Sequence, residues 1–68
     1  MSDEVFNRLA EYRNEAGLSQ QELADAIGVS RKTISTIERR KFTPSVQIAL
    51  KLARYFGCSV DDLFELGG

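Results

Sequence analysis

Apolar residues recur along this chain at helical spacing in five short stretches, each bounded by a Ser or a Gly. In the first, Val5, Leu9, Tyr12 and Ala16 follow the helical period, so the pattern predicts a helix over 5–16 that Gly17 ends, with Leu18 anchoring the link onward. In the second, Leu23, Ala24 and Ile27 form one stripe. Ser19 precedes it with Glu22 three residues on, the arrangement of a capping box, so this helix begins at Gln20. Gly28 supplies the freedom to leave the helix in a left-handed conformation, and Val29 follows as an apolar plug under the turn. Ser30 is the next N-cap, and behind it only Ile34 and Ile37 are apolar, whereas Arg31, Lys32, Thr33, Ser35, Thr36 and Arg39 are polar. That third helix has little to bury and much to display.

Pro44 and Ser45 start a fourth helix whose core stripe reads Val46, Ala49, Leu50, Ala53 and Phe56, closed by Gly57. Ile48, Leu52 and Tyr55 form a second stripe on its back. Two readings stay open for that stripe: a dimer interface, or a helix buried on both sides by the last helix and the N-terminus. Ser59 with Asp62 opens a last short helix, in which Val60, Leu63 and Phe64 close the core, and Glu65 to Gly68 are expected to fray. Met1 to Glu4 lacks the Arg or Lys that a minor-groove arm needs, so no arm contact is expected.

Composition narrows the function. Sixty-eight residues suit one domain with a modest core, so dimerisation would add needed stability. With no His and one Cys there is no nucleophile–base pair and no metal cluster, which sets enzymes aside. Cys58 reads as a small core residue in a turn rather than a redox switch. No apolar run is long enough to span a membrane, and the expectation is a cytoplasmic protein without cofactor or evident small-molecule ligand. The formal net charge of −1 hides its distribution: Arg31, Lys32, Arg39, Arg40 and Lys41 face only Glu38 within residues 31–41, whereas residues 1–30 carry six acidic side chains against two basic ones. One basic face on an acidic body orients a domain on DNA.

The spacing of Gln20, Ala24, Gly28, Ile34 and Ile37 resembles the helix-turn-helix of the lambda-repressor/Cro-like (XRE-type) regulators, and the flanking segments resemble that family's other helices. The resemblance implies an all-α fold, a compact five-helix lambda-repressor-like domain over residues 1–68 with the helix-turn-helix proper at 20–39. It also implies a structural ion pair between Arg13 and Glu38 that braces the recognition helix. The chain departs from the family after Arg39, where Arg40 stands in place of the usual glycine. Either Arg40 adopts a left-handed conformation at some cost or the helix ends differently. Phe42 in the following loop reads as a lid on the core or as a partner contact.

A helix-turn-helix inserts the N-terminal half of its second helix into the major groove, which brings Arg31, Lys32, Ser35 and Thr36 to base edges. Gln20, Ser30, Thr33, Arg39, Arg40, Lys41 and Thr43 form the expected phosphate set, with Thr33 also placed to read a base or fill the helix interface. The expected function is sequence-specific binding of double-stranded DNA by a transcriptional regulator, a repressor acting as a homodimer on an inverted repeat. The competing class is an antitoxin-like or adaptor module that docks a protein through Ile48, Leu52, Tyr55 and Phe42 and binds DNA secondarily. RNA binding is disfavoured, because the polar helix offers no aromatic ring for base stacking.

Overall fold

The computed structural model describes residues 4–67; Met1 to Asp3, and with them most of the segment read as lacking an arm contact, lie outside the described residues, as does Gly68. In chain order the elements are β1 (Val5–Asn7), α1 (Leu9–Glu15), α2 (Gln20–Ile27), α3 (Arg31–Glu38), α4 (Val46–Phe56), α5 (Val60–Leu63) and β2 (Phe64–Leu66). Among the described residues four of the five helices begin on a serine, Ser19, Ser30, Ser45 or Ser59. Each is extended and accepts a hydrogen bond from the backbone N–H three residues on. Such a cap satisfies a donor that the first turn leaves unpaired, and replacing one by Ala costs about 1 kcal/mol.

The helices enclose one core in which Leu9, Leu23, Ile34, Ile37, Leu52 and Leu63 are fully buried, so every helix contributes at least one side chain to it. Ala24 is fully buried on the face of α2 that also carries Leu23 and Ile27, and α2 packs against α3. A small side chain there lets two helices joined by a three-residue turn cross at short range. Gly28 makes that turn at φ +76°, where an L side chain would be strained, and the N–H of Val29 bonds back to the carbonyl of Ala24 at 2.9 Å.

Four expectations are corrected. The fold is not purely helical, since β1 and β2 pair antiparallel with Val5 opposite Leu66, Phe6 opposite Glu65 and Asn7 opposite Phe64. The helix expected from Val5 therefore starts only at Leu9, and the tail expected to fray is held through Leu66. Further bonds extend the ladder at both ends, from Arg8 N–H to the Leu63 carbonyl and from Gly67 N–H to the Glu4 carbonyl, both 2.8 Å. Val5, Leu9 and Tyr12 fit a helical period equally well, and what overrides it is a partner strand some 60 residues away in sequence, which local spacing does not reveal.

The fourth correction is the orientation of α4. Its buried side is Leu52 and Ala53, flanked by Ile48, Ala49 and Phe56, whereas Val46 and Leu50, assigned above to the core, are exposed. Leu52 is fully buried and Ile48 packs half-buried on the core, so of the proposed interface set Ile48, Leu52 and Tyr55 only Tyr55 is exposed. Both stripes of α4 are apolar, and periodicity finds stripes without saying which one faces inward.

Candidate nucleic-acid interface

The third helix is a platform held from below. Ile34 and Ile37 anchor it in the core. Successive residues advance 100° around a helix, which turns Lys32, Ser35, Thr36 and Arg39 to the opposite side. Arg31 and Lys32 are exposed in its first turn, while Ser35 and Thr36 are half-buried one turn further on. The Thr36 hydroxyl donates to its own helix, to the carbonyls of Lys32 (2.9 Å) and Thr33 (3.0 Å). It therefore offers a base its methyl and its oxygen lone pairs rather than its proton. Ser30 accepts from Thr33 N–H at 3.1 Å, and the two hydroxyls lie 2.9 Å apart. Both thus organise the N-terminus of α3, where unpaired N–H groups and the helix dipole favour an anion.

Beneath the far end of α3 lies a polar cluster. Arg13 donates through Nε to Glu38 Oε2 at 2.7 Å and through Nη2 to Glu38 Oε1 at 3.2 Å, and its Nη1 reaches the Leu18 carbonyl at 2.8 Å. The two side chains are 15% and 8% exposed, so this pair sits largely out of solvent, where a two-pronged guanidinium–carboxylate contact is strongest. The hydrogen bond to Glu38 raises the Arg13 pKa against the opposing effect of burial. Gln20 joins the cluster, its Nε2 donating to Glu38 Oε1 at 3.1 Å. The structure thus gives the Gln20 side chain a bracing contact, leaving the second N–H of its amide for any phosphate.

The turn after α3 resolves the missing glycine. Arg40 is left-handed at φ +58°, the only described non-glycine residue with positive φ. The N–H of Lys41 bonds the Thr36 carbonyl and that of Arg40 the Ile37 carbonyl, both at 2.9 Å, which is the Schellman pattern with Arg at the glycine position. A contact offsets the strain: the Arg40 guanidinium lies 4.5 Å from the centroid of the Phe6 ring in β1. Its charge is directed onto that ring, while Arg39, Lys41 and Thr43 are exposed around the loop. Phe42 is 46% exposed beside Pro44 and Thr43, which disfavours the lid reading.

Two residues of β1 belong to this end of the platform and escaped the sequence reading. Asn7 Nδ2 donates to the Ile37 carbonyl at 2.9 Å, and Asn7 Oδ1 accepts from Leu9 N–H at 3.1 Å, so one side chain ties the last turn of α3 to the first of α1. An Asn just before a helix is a visible cap signal for the second bond; the first, and the Phe6–Arg40 stack, depend on strand pairing that no local pattern announces.

Residues 9–63 match the protein family described as helix-turn-helix. An uncharacterised HTH-type transcriptional regulator of Methanocaldococcus jannaschii is 45% identical over 58 residues, covering 85% of this chain and 88% of that protein. The HTH-type transcriptional regulator PuuR of Escherichia coli is 39% identical over 68 residues, covering 96% of this chain but 37% of PuuR. Among solved structures, the restriction-modification controller protein C.AhdI of Aeromonas hydrophila superposes with a TM-score of 0.75 at 34% identity, over 81% of this chain and 83% of that one. No helix among the described residues is long and apolar enough to cross a membrane.

Proposed function

The chain belongs to the helix-turn-helix family, and from that membership we propose that it is a sequence-specific double-stranded DNA-binding transcriptional regulator, a repressor that binds an inverted repeat as a homodimer. The carrying observation is the shape of α3: two buried isoleucines on one side, and on the other an exposed first turn bearing Arg31 and Lys32 with Ser35 and Thr36 behind it. A helix of this width fits the major groove. Arg31 reads guanine as a two-pronged donor, Lys32 donates to the same acceptors, and Thr36 presses its methyl on thymine. Ser30, Arg39, Lys41 and Thr43 hold phosphates on either side, and Gln20, Thr33 and Arg40 serve mainly to shape the platform.

Repression follows from occupancy, since a bound dimer over a promoter excludes polymerase without any further surface. The adaptor alternative is weakened by the burial of Leu52 and the packing of Ile48, two of the four residues of the docking face that it requires.

Selection from a random duplex pool at fixed salt, repeated with Arg31→Ala and Lys32→Ala, tests the reading. Enrichment of an inverted repeat, with specific positions relaxed in each variant, supports it. A pool that stays random with the unaltered protein refutes it.

A further inference from the structure

We infer that the apolar strip from Leu50 and Val46 on α4 to Leu66 on β2 docks a second copy of this chain about a two-fold axis, Arg54 of each copy meeting Asp61 of the other. The inference rests on the DNA-binding reading only for the two-fold symmetry that an inverted repeat demands; its geometry stands by itself.

Val46, Leu50 and Leu66 are 76%, 55% and 73% exposed, the largest values for big apolar side chains among the described residues. They are not scattered. Val46 borders a hollow whose floor is Val5, Val60 and Phe64, and the same three residues floor the adjoining hollow that Leu66 borders, so the apolar surface is continuous from helix to strand. Leu50 extends it by one turn of α4, since residues four apart stack along a helix. The strip ends in opposite charges. Beyond Leu50 lie Lys51 and Arg54, and beside Leu66 lie Asp61 and Glu65.

A contact between identical surfaces about a two-fold axis lays the centre of a strip on itself and each end on the opposite end. Here that places apolar on apolar and basic on acidic, whereas a strip with like charges at both ends would repel its copy. Two of the four charges are already engaged: Glu65 accepts from Arg8 at 3.3 Å, and Lys51 Nζ reaches the Ile27 carbonyl at 3.4 Å. Arg54 and Asp61 have no ion-pair partner among the described residues, which makes them the pair available across the axis. A standard contact covers about 800 Å² per partner, roughly a fifth of the 4510 Å² surface of this small chain. Tyr55 lies off the strip, edge-on to Phe56 and beside Ala26 and Ile27.

Sedimentation equilibrium of the full chain, without DNA and at low salt, tests the docking. The unaltered protein is expected at twice the chain mass. Leu50→Glu and Val46→Glu, both at exposed positions and checked for unchanged far-UV circular dichroism, are expected at the single-chain mass. Arg54→Asp is expected to raise the dissociation constant about tenfold or more, and adding Asp61→Arg to restore it to within ~3-fold, as complementary charges across an interface do. A monomer at every concentration, a dimer indifferent to Leu50→Glu, or a charge swap that fails to restore association would each overturn the inference. A monomer that still selects a DNA sequence would overturn the docking and leave the DNA reading standing; a charge-dependent dimer with a random pool would do the reverse.

Discussion

The side-chain amide of Asn7 donates to the carbonyl of Ile37 across 2.9 Å, joining the N-terminal strand to the last turn of the helix that faces outward. The same side chain accepts from Leu9 N–H, so its two ends hold α3 and α1 in one relative position. Asn7→Ala removes both bonds and is expected to cost about 1–2 kcal/mol in urea denaturation. Asn7→Asp retains the acceptor and loses the donor, so it should recover part of the stability of α1 while leaving the end of α3 untied. Comparing the two variants separates the contacts.

Arg13 and Glu38 should behave as one unit. Removing either partner leaves the other largely buried and unpaired, with an expected loss of about 3 kcal/mol for Arg13→Met or Glu38→Leu. The double variant should lose much less than the sum. A double-mutant cycle on equilibrium unfolding checks this, and additive losses would mean that the pair contributes nothing as a pair.

At Arg40 two local effects oppose each other. Arg40→Gly relieves a left-handed residue of its steric cost but forfeits the stack on Phe6, so the net change in stability should stay within ~1 kcal/mol. In a Phe6→Leu background the stack is already gone, and Arg40→Gly should then stabilise by about 1 kcal/mol. Thermal unfolding of the four proteins measures the coupling.

Glu22 gives a pH signature. Its carboxylate accepts from the N–H of Ser19, which holds its pKa below the ordinary value of 4.5. A carboxyl whose folded pKa is depressed contributes stability that is present above the ordinary value and lost as pH falls through the folded one. The unaltered protein should therefore exceed Glu22→Gln in Tm at neutral pH, and the gap should close on acidification below about 4.5. A gap that stays constant with pH would contradict the capping role of the ionised group.

The helix-turn-helix was legible because its determinants are local: Ser19 with Glu22, Gly28, Ser30, and the apolar stripes of α2 and α3 all act within one or two turns of themselves. Arg13 and Glu38 were legible only through family resemblance, being 25 residues apart. What stayed hidden was set by distant partners. The strand character of Val5–Asn7 depends on Phe64–Leu66, the strain at Arg40 is offset by Phe6, and the inward face of α4 is chosen by Leu52 fitting the core where Leu50 does not. Gln20 and Thr36, expected at a phosphate and at a base edge, turn their polar atoms largely inward, to Glu38 and to the carbonyl of Lys32.

Base reading by the first turn of α3 is tested most directly by anisotropy titrations of Lys32→Ala and Arg39→Ala on the selected site and on a scrambled duplex, each across a salt series. Lys32→Ala should lose about 1–3 kcal/mol on the selected site and far less on the scrambled one. Arg39→Ala should weaken both alike and lower the slope of log affinity against log salt by about 0.9. Equal weakening of both duplexes by Lys32→Ala would show that this helix attracts phosphate without reading sequence, and would contradict the central claim.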